Sequence, residues 1–142
     1  MSTRQRLENI IIGTLLDNNN HYEDVRGYIT EDMFRDTTCR RIFGLITEMR
    51  NEGAGLTDPY SIYQRYGMQV ADIIPQMCQL CTDYSFDFMK LRYNEERYLD
   101  SLLFGCTYRT TNVEFIDYVT KFVNIVIEDE ERGNEHTTGS AA

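Results

Sequence analysis

The stretch TTCRRIFGLITEMRNEGAGLTDPYSIYQRYG, Thr37 to Gly67, decides the fold class. Cys39, Ile42, Phe43, Ile46 and Met49 recur at i, i+3, i+4, i+7 and i+10, the spacing of one helix face. NEGAGL stops that helix, because Gly53 and Gly55 are free to take positive φ. Asp58 is then a natural N-cap, and Pro59 falls at the first helical position, where its missing N–H costs nothing. Ile62 and Tyr63 are expected to face inward, and Gly67 ends the second helix.

The same punctuation extends both ways. Upstream, Leu7, Ile10, Ile11 and Leu15 mark a helix from about Thr3 to Leu16, closed by the turn formers of DNNNH. A short helix is expected across His21 to Tyr28, and TEDMF reads as one more turn with Thr30 as its cap. Downstream, Val70 to Thr82 reads as one helix with Ile73 or Ile74, Met77, Cys78 and Cys81 inward. Ser85 can cap a long helix from Phe86 to about Tyr108, and Thr111 with Glu114 fits a capping box for a last helix ending near Glu131. The expected architecture is all-α. Residues 1–84 form a compact head of five to six helices, 85–131 a helical hairpin, and 132–142 a disordered tail.

The last helix is apolar on two sides. Ile116, Val123 and Ile127 fall on one; Phe115, Val119, Phe122 and Val126 fall on the other. A helix apolar that far round needs broad cover, and the head already has helices enough for a core. A second copy is the natural cover. The expected dimer interface is therefore Leu91, Leu102, Phe115, Val119, Phe122 and Val126.

Composition bounds the partners. The chain has 142 residues, 42% hydrophobic, which suits one domain with a core. Its 2 Pro and 9 Gly weigh against a β-rich or loop-rich fold. No run approaches the roughly 18 apolar residues of a membrane helix, so no membrane partner is expected. The apolar part of MSTRQRLENIIIGTLL is short and broken by Glu8, Asn9 and Gly13, unlike a signal peptide, so a cytoplasmic location is expected, with the 4 Cys reduced. The net charge of −9 disfavours direct nucleic-acid binding, since phosphates attract Lys and Arg. Arg35, Arg40, Arg41 and Arg50 cluster in sequence and read first as a solvated helix face.

No catalytic constellation or cofactor site emerges. Cys78 and Cys81 form a CxxC, which serves zinc sites and thiol redox enzymes, and also arises when two small side chains sit one helical turn apart. No second pair accompanies it, and the histidines are His21 and His136 alone. No strand precedes it, as an activated thiolate would want. The core reading is preferred; a zinc or thiol protein stays as an alternative. The lysines, Lys90 and Lys121, follow Met89 and Thr120, so neither belongs to a P-loop. His21 sits in an Asn-rich turn without a neighbouring nucleophile and reads as structural. Glu31–Asp32 and Glu95–Glu96 are adjacent on helices and diverge. Tyr60, Tyr63 and Tyr66 read as packing before base stacking.

LENIIIGTLLDNN followed by EDMFRDTTCRRIFGLITEMRNEGAGLTDPYSIY resembles the N-terminal domain of DnaB-type replicative DNA helicases. Glu8, Ile11, Ile12, Gly13, Leu15 and Leu16 match that family's opening pattern. Phe34, Ile42 and Phe43 match the next, with Cys39 where a His is usual; Gly55, Asp58 and Ile62 match the third. YSFDFMKLRYNEERYLDSLL resembles the first arm of the family's hairpin. TDYSF replaces the usual Pro-containing turn after the fifth helix.

The likeness runs from Leu7 to Leu103 and more loosely to Glu131. It implies a head plus hairpin that pairs with a second copy and assembles into a collar. That collar would dock primase, of the DnaG type, or a helicase loader, and support DNA replication without ATPase chemistry of its own. The motor domain that normally follows is not in this sequence, so the chain is expected to be an excised domain or a stand-alone regulatory or mobile-element protein that captures a helicase or loader.

Overall fold

Every residue from Leu7 to Leu16 is buried, including Glu8, Asn9, Gly13 and Thr14. A helix buried on all sides is a central one. In the computed structural model, which describes residues 1–17, 21–85 and 113–141, this helix, α1 (Thr3–Asp17), is the axis on which the others pack. Its polar residues find partners inside, as buried polar groups must. The Asp36 N–H donates to Glu8 Oε1 at 3.0 Å, and Asn9 Oδ1 accepts from Gln5 Nε2 at 2.9 Å.

The next elements follow their sequence signals closely. After His21 comes α2 (Tyr22–Val25), then a 3₁₀ turn at Glu31–Met33. Thr30 does not cap that turn through its side chain; its hydroxyl bonds the Asp32 carboxylate instead. Helix α3 (Thr37–Asn51) buries the five residues of the expected stripe, and Asp36 caps it by accepting the Cys39 N–H at 2.9 Å. Helix α4 (Pro59–Tyr66) begins at Pro59 and ends at Gly67, whose φ of 61° is one that a side chain would resist. Asp58 bonds the Ser61 hydroxyl rather than a backbone N–H. Ile62 is buried as expected, but Tyr63 is 43% exposed, because α4 turns only one narrow edge to the core.

The single helix expected over Val70–Thr82 is two elements. A 3₁₀ segment, Gly67–Ile73, gives way to α5 (Ile74–Tyr84) at Pro75. Proline has no N–H and cannot sit inside a continuing helix, so a new helix starts around it. The break rotates the downstream face. Val70, Ile73 and Met77 are buried, Cys81 is half-buried, and Cys78 is exposed. The inward placement expected for Cys78 is thereby corrected.

Helix α5 lies across α1 at very short range. A Cβ built on Gly13 would fall 2.4 Å from the Leu80 carbonyl oxygen and 3.0 Å from the Ser85 nitrogen. Only a residue without a side chain permits that approach. The Ser85 hydroxyl then donates to Asp17 Oδ2 at 2.9 Å, tying the end of α5 to the end of α1.

The last helix, α6 (Val113–Ala141), closes the core. Its backbone runs past the end expected near Glu131; Gly133 alone costs a helix only about 1 kcal/mol, and no proline follows. Phe115, Val119, Phe122 and Val126 point into the head and belong to its hydrophobic cluster. The Phe122 and Phe34 rings lie 5.2 Å apart, and Phe34 stands 5.1 Å from Phe43. The core thus draws on residues from both sides of the expected boundary at residue 84. The described residues contain helices and no strand. The expected helix from Phe86 to Tyr108, with Leu91 and Leu102, lies outside them, as does Thr111.

Candidate functional site

The four interface residues expected on the last helix are buried within the chain itself. Phe115, Val119, Phe122 and Val126 are covered by the head of the same chain. Spacing alone showed two apolar sides of α6; it did not show which one the head takes. The answer lies in ring stacking and a buried histidine. His21 is buried, its Nδ1 is 3.2 Å from Asp24 Oδ2, and its ring is 4.8 Å from that of Phe115. His21 therefore anchors α2 under α6, in line with its structural reading.

The second apolar side remains open. Ile116 is 45% and Ile127 47% exposed, with half-buried Val123 between them. At 100° per residue these fall beside the buried stripe rather than opposite it. Ile116 and Val123, with Val119, line a groove between α6 and the α2 region, about 540 Å³ in volume, with Tyr28 on its far wall. Tyr28 is 69% exposed, held out by the turn at Gly27, where φ is 83°. Glu23 and Asp24 stand at the rim, and Thr120 and Asn124 supply polar edges on α6.

Further along α6, Asp129 fastens the helix to α1. Arg4 Nη1 donates to Asp129 Oδ2 at 2.7 Å and its Nη2 to the Met33 carbonyl at 2.6 Å; Arg35 Nη1 stands 3.5 Å from the same carboxylate. The hydrogen bond from Arg4 holds the Asp129 carboxyl below the usual carboxylate range. A depressed carboxylate contributes stability above its ordinary pKa of about 4 and loses it as pH falls through the folded value. Asp129→Asn should therefore flatten the acid limb of the stability curve and speed amide exchange in α6, measured by hydrogen exchange between pH 3 and 7. An unaltered acid limb would show that Arg4 and Asp129 do not hold the helix.

The cluster of arginines dissolves into structural clamps. Arg40 Nε donates to the Phe34 carbonyl at 2.9 Å. Arg41 reaches Asp72 at 2.8 Å and the Gln69 carbonyl at 2.7 Å, bridging α3 to the 3₁₀ segment. Arg50 lies over the Tyr22 ring at 5.4 Å, and Arg35 faces Asp129.

Cys39 and Cys81 are equally quiet. Burial is the main cause that pushes Cys81 up to about 12, with Asp17 adding to it, and burial raises Cys39 as well. Neither is poised as a thiolate near neutral pH. Among the described residues no group of three or more His, Cys, Asp or Glu could hold a metal ion. Tyr60 and Tyr63 are exposed beside Pro59, Ile74, Pro75 and Cys78 in a shallow apolar cleft, and Tyr66 is half-buried. No described helix is long and apolar enough to cross a membrane.

Residues 1–74 match the family model described as DnaB-like helicase N terminal domain. That span covers α1 to α4 and the 3₁₀ segment, more than half of the 142 residues. No curated protein and no solved structure matches the chain.

Proposed function

The chain belongs to the DnaB-like helicase N-terminal domain family, and we propose from that premise that it is a non-catalytic interaction and oligomerisation module of the replication machinery. It assembles with further copies and docks a helicase motor domain, a primase or a helicase loader. The observation that supports this most is the open apolar side of α6. The head spends one stripe of that helix on its own core and leaves Ile116 and Ile127 exposed, with Ile116 and half-buried Val123 lining a groove. Uncovered apolar surface next to a structured groove is a mark of association. The absence of a P-loop lysine and the raised thiol pKa of Cys81 fit a docking role better than a chemical one.

Pairing of copies is assigned to the segment holding Leu91 and Leu102. Leu91→Glu or Leu102→Glu should give monomers in sedimentation with an unchanged melting temperature; a persistent dimer would remove that segment as the pairing element. The docking role is tested by a pull-down with helicase, loader and primase. Retention of at least one, lost on Val123→Glu, is expected. Retention of none would overturn the reading.

A further inference from the structure

We propose that the groove between α2 and α6 takes a basic amphipathic helix from a partner of different sequence. This deepens the docking role just proposed and rests on it. The groove has an apolar floor, from Ile116, Val123 and the face of Tyr28, and an acidic rim, from Glu23 and Asp24. Among the described residues no Lys or Arg lines it. Glu23 pairs with Arg26 at 3.5 Å on an exposed surface, where such a pair is weak, and also attracts Arg50, while Asp24 is turned partly to His21 at 3.2 Å. The α6 wall from Ile116 to Asn124 spans roughly 12 Å, on the order of two helical turns. An apolar floor of that length accepts residues at i, i+3, i+4 and i+7 of a docked helix. The rim then faces the flanking positions, and only cations complement it.

A second copy fits this groove poorly. The chain carries 14 Lys and Arg against 23 Asp and Glu. Two copies would bring −9 against −9 at an already acidic rim. The arginines nearest in sequence to a helix face are turned to Asp72, Gln69, Phe34 and Asp129.

The test uses the full chain and two fluorescent helical peptides with the same leucine stripe, one flanked by lysines and one by glutamates. Anisotropy should show binding of the lysine peptide alone, weakened by salt and about tenfold weaker with Glu23→Lys. Amide shifts on titration should centre on Tyr28, Ile116 and Thr120. Equal binding of both peptides, or no effect of Glu23→Lys, would overturn the proposal. So would dimers in sedimentation that Ile116→Ser disperses while the lysine peptide fails to bind; the occupant would then be a second copy. The docking reading fails separately: if the lysine peptide binds but helicase, loader and primase are not retained, the groove stands and its assignment to replication falls.

Discussion

Gly13→Ala is expected to destabilise the chain by about 3 kcal/mol or more, near the upper end for overpacking a close contact. The added methyl would lie 2.4 Å from the Leu80 carbonyl oxygen. That atom is backbone in the middle of α5, so it cannot swing aside as the tip of a long side chain could. Relief requires α5 to slide or lift from α1, which also disturbs the Ser85 bond to Asp17. Helix propensity works the other way, since alanine is favoured over glycine by about 1 kcal/mol within a helix. The clash should outweigh it. Urea unfolding followed by circular dichroism reads the difference, and a loss below 1 kcal/mol would mean that the two helices part more easily than their packing implies.

The second large effect is at Phe122. Phe122→Ala should cost about 3–5 kcal/mol, the range for deleting a fully buried aromatic ring. It would leave a cavity beside Phe34, with which it stacks at 5.2 Å, and loosen the chain of rings that runs on to Phe43. The control is on the same helix. Ile127→Ser touches an exposed position and should stay within about 0.5 kcal/mol. If α6 packed on the head only loosely, the two substitutions would have similar small effects in thermal unfolding. The pair therefore measures directly which side of α6 is core.

The two carboxylates near Arg4 add an opposing pH signature. Burial raises the Glu8 pKa, so Glu8 favours the folded chain when protonated and costs stability as pH rises through its folded value. Asp129 does the reverse, as its carboxylate is held by Arg4.

Much of this was legible from residue spacing. The α3 stripe and the Pro59 and Gly67 boundaries follow from rules local to a few residues, and each appears where those rules put it. The misses share one cause: they depend on what a helix packs against. Helix α1 is buried all round from Leu7 to Leu16, and the spacing of Leu7, Ile10, Ile11 and Leu15 marked a helix without showing that it is the axis. The two-sided pattern of α6 announced two contacts but not their partners, and the head took the stripe containing Phe122. Pro75 was a readable signal for the split before α5, and it alone would have turned Cys78 outward. The groove drew on the Gly27 turn and α6 together, which no local pattern joins.

The tie between Arg4 and Asp129 spans 125 positions of sequence. The axis helix is made well before α6. During synthesis α1 leaves the ribosome with an apolar surface whose final cover does not yet exist. Its final packing therefore waits for α6, and any nascent fragment that stops before α6 presents Ile12, Leu16 and Phe34 without the Phe115–Val126 stripe. Capture of such fragments by chaperones, rather than stepwise helix-by-helix folding, is the expected consequence of a core whose two halves lie so far apart in sequence.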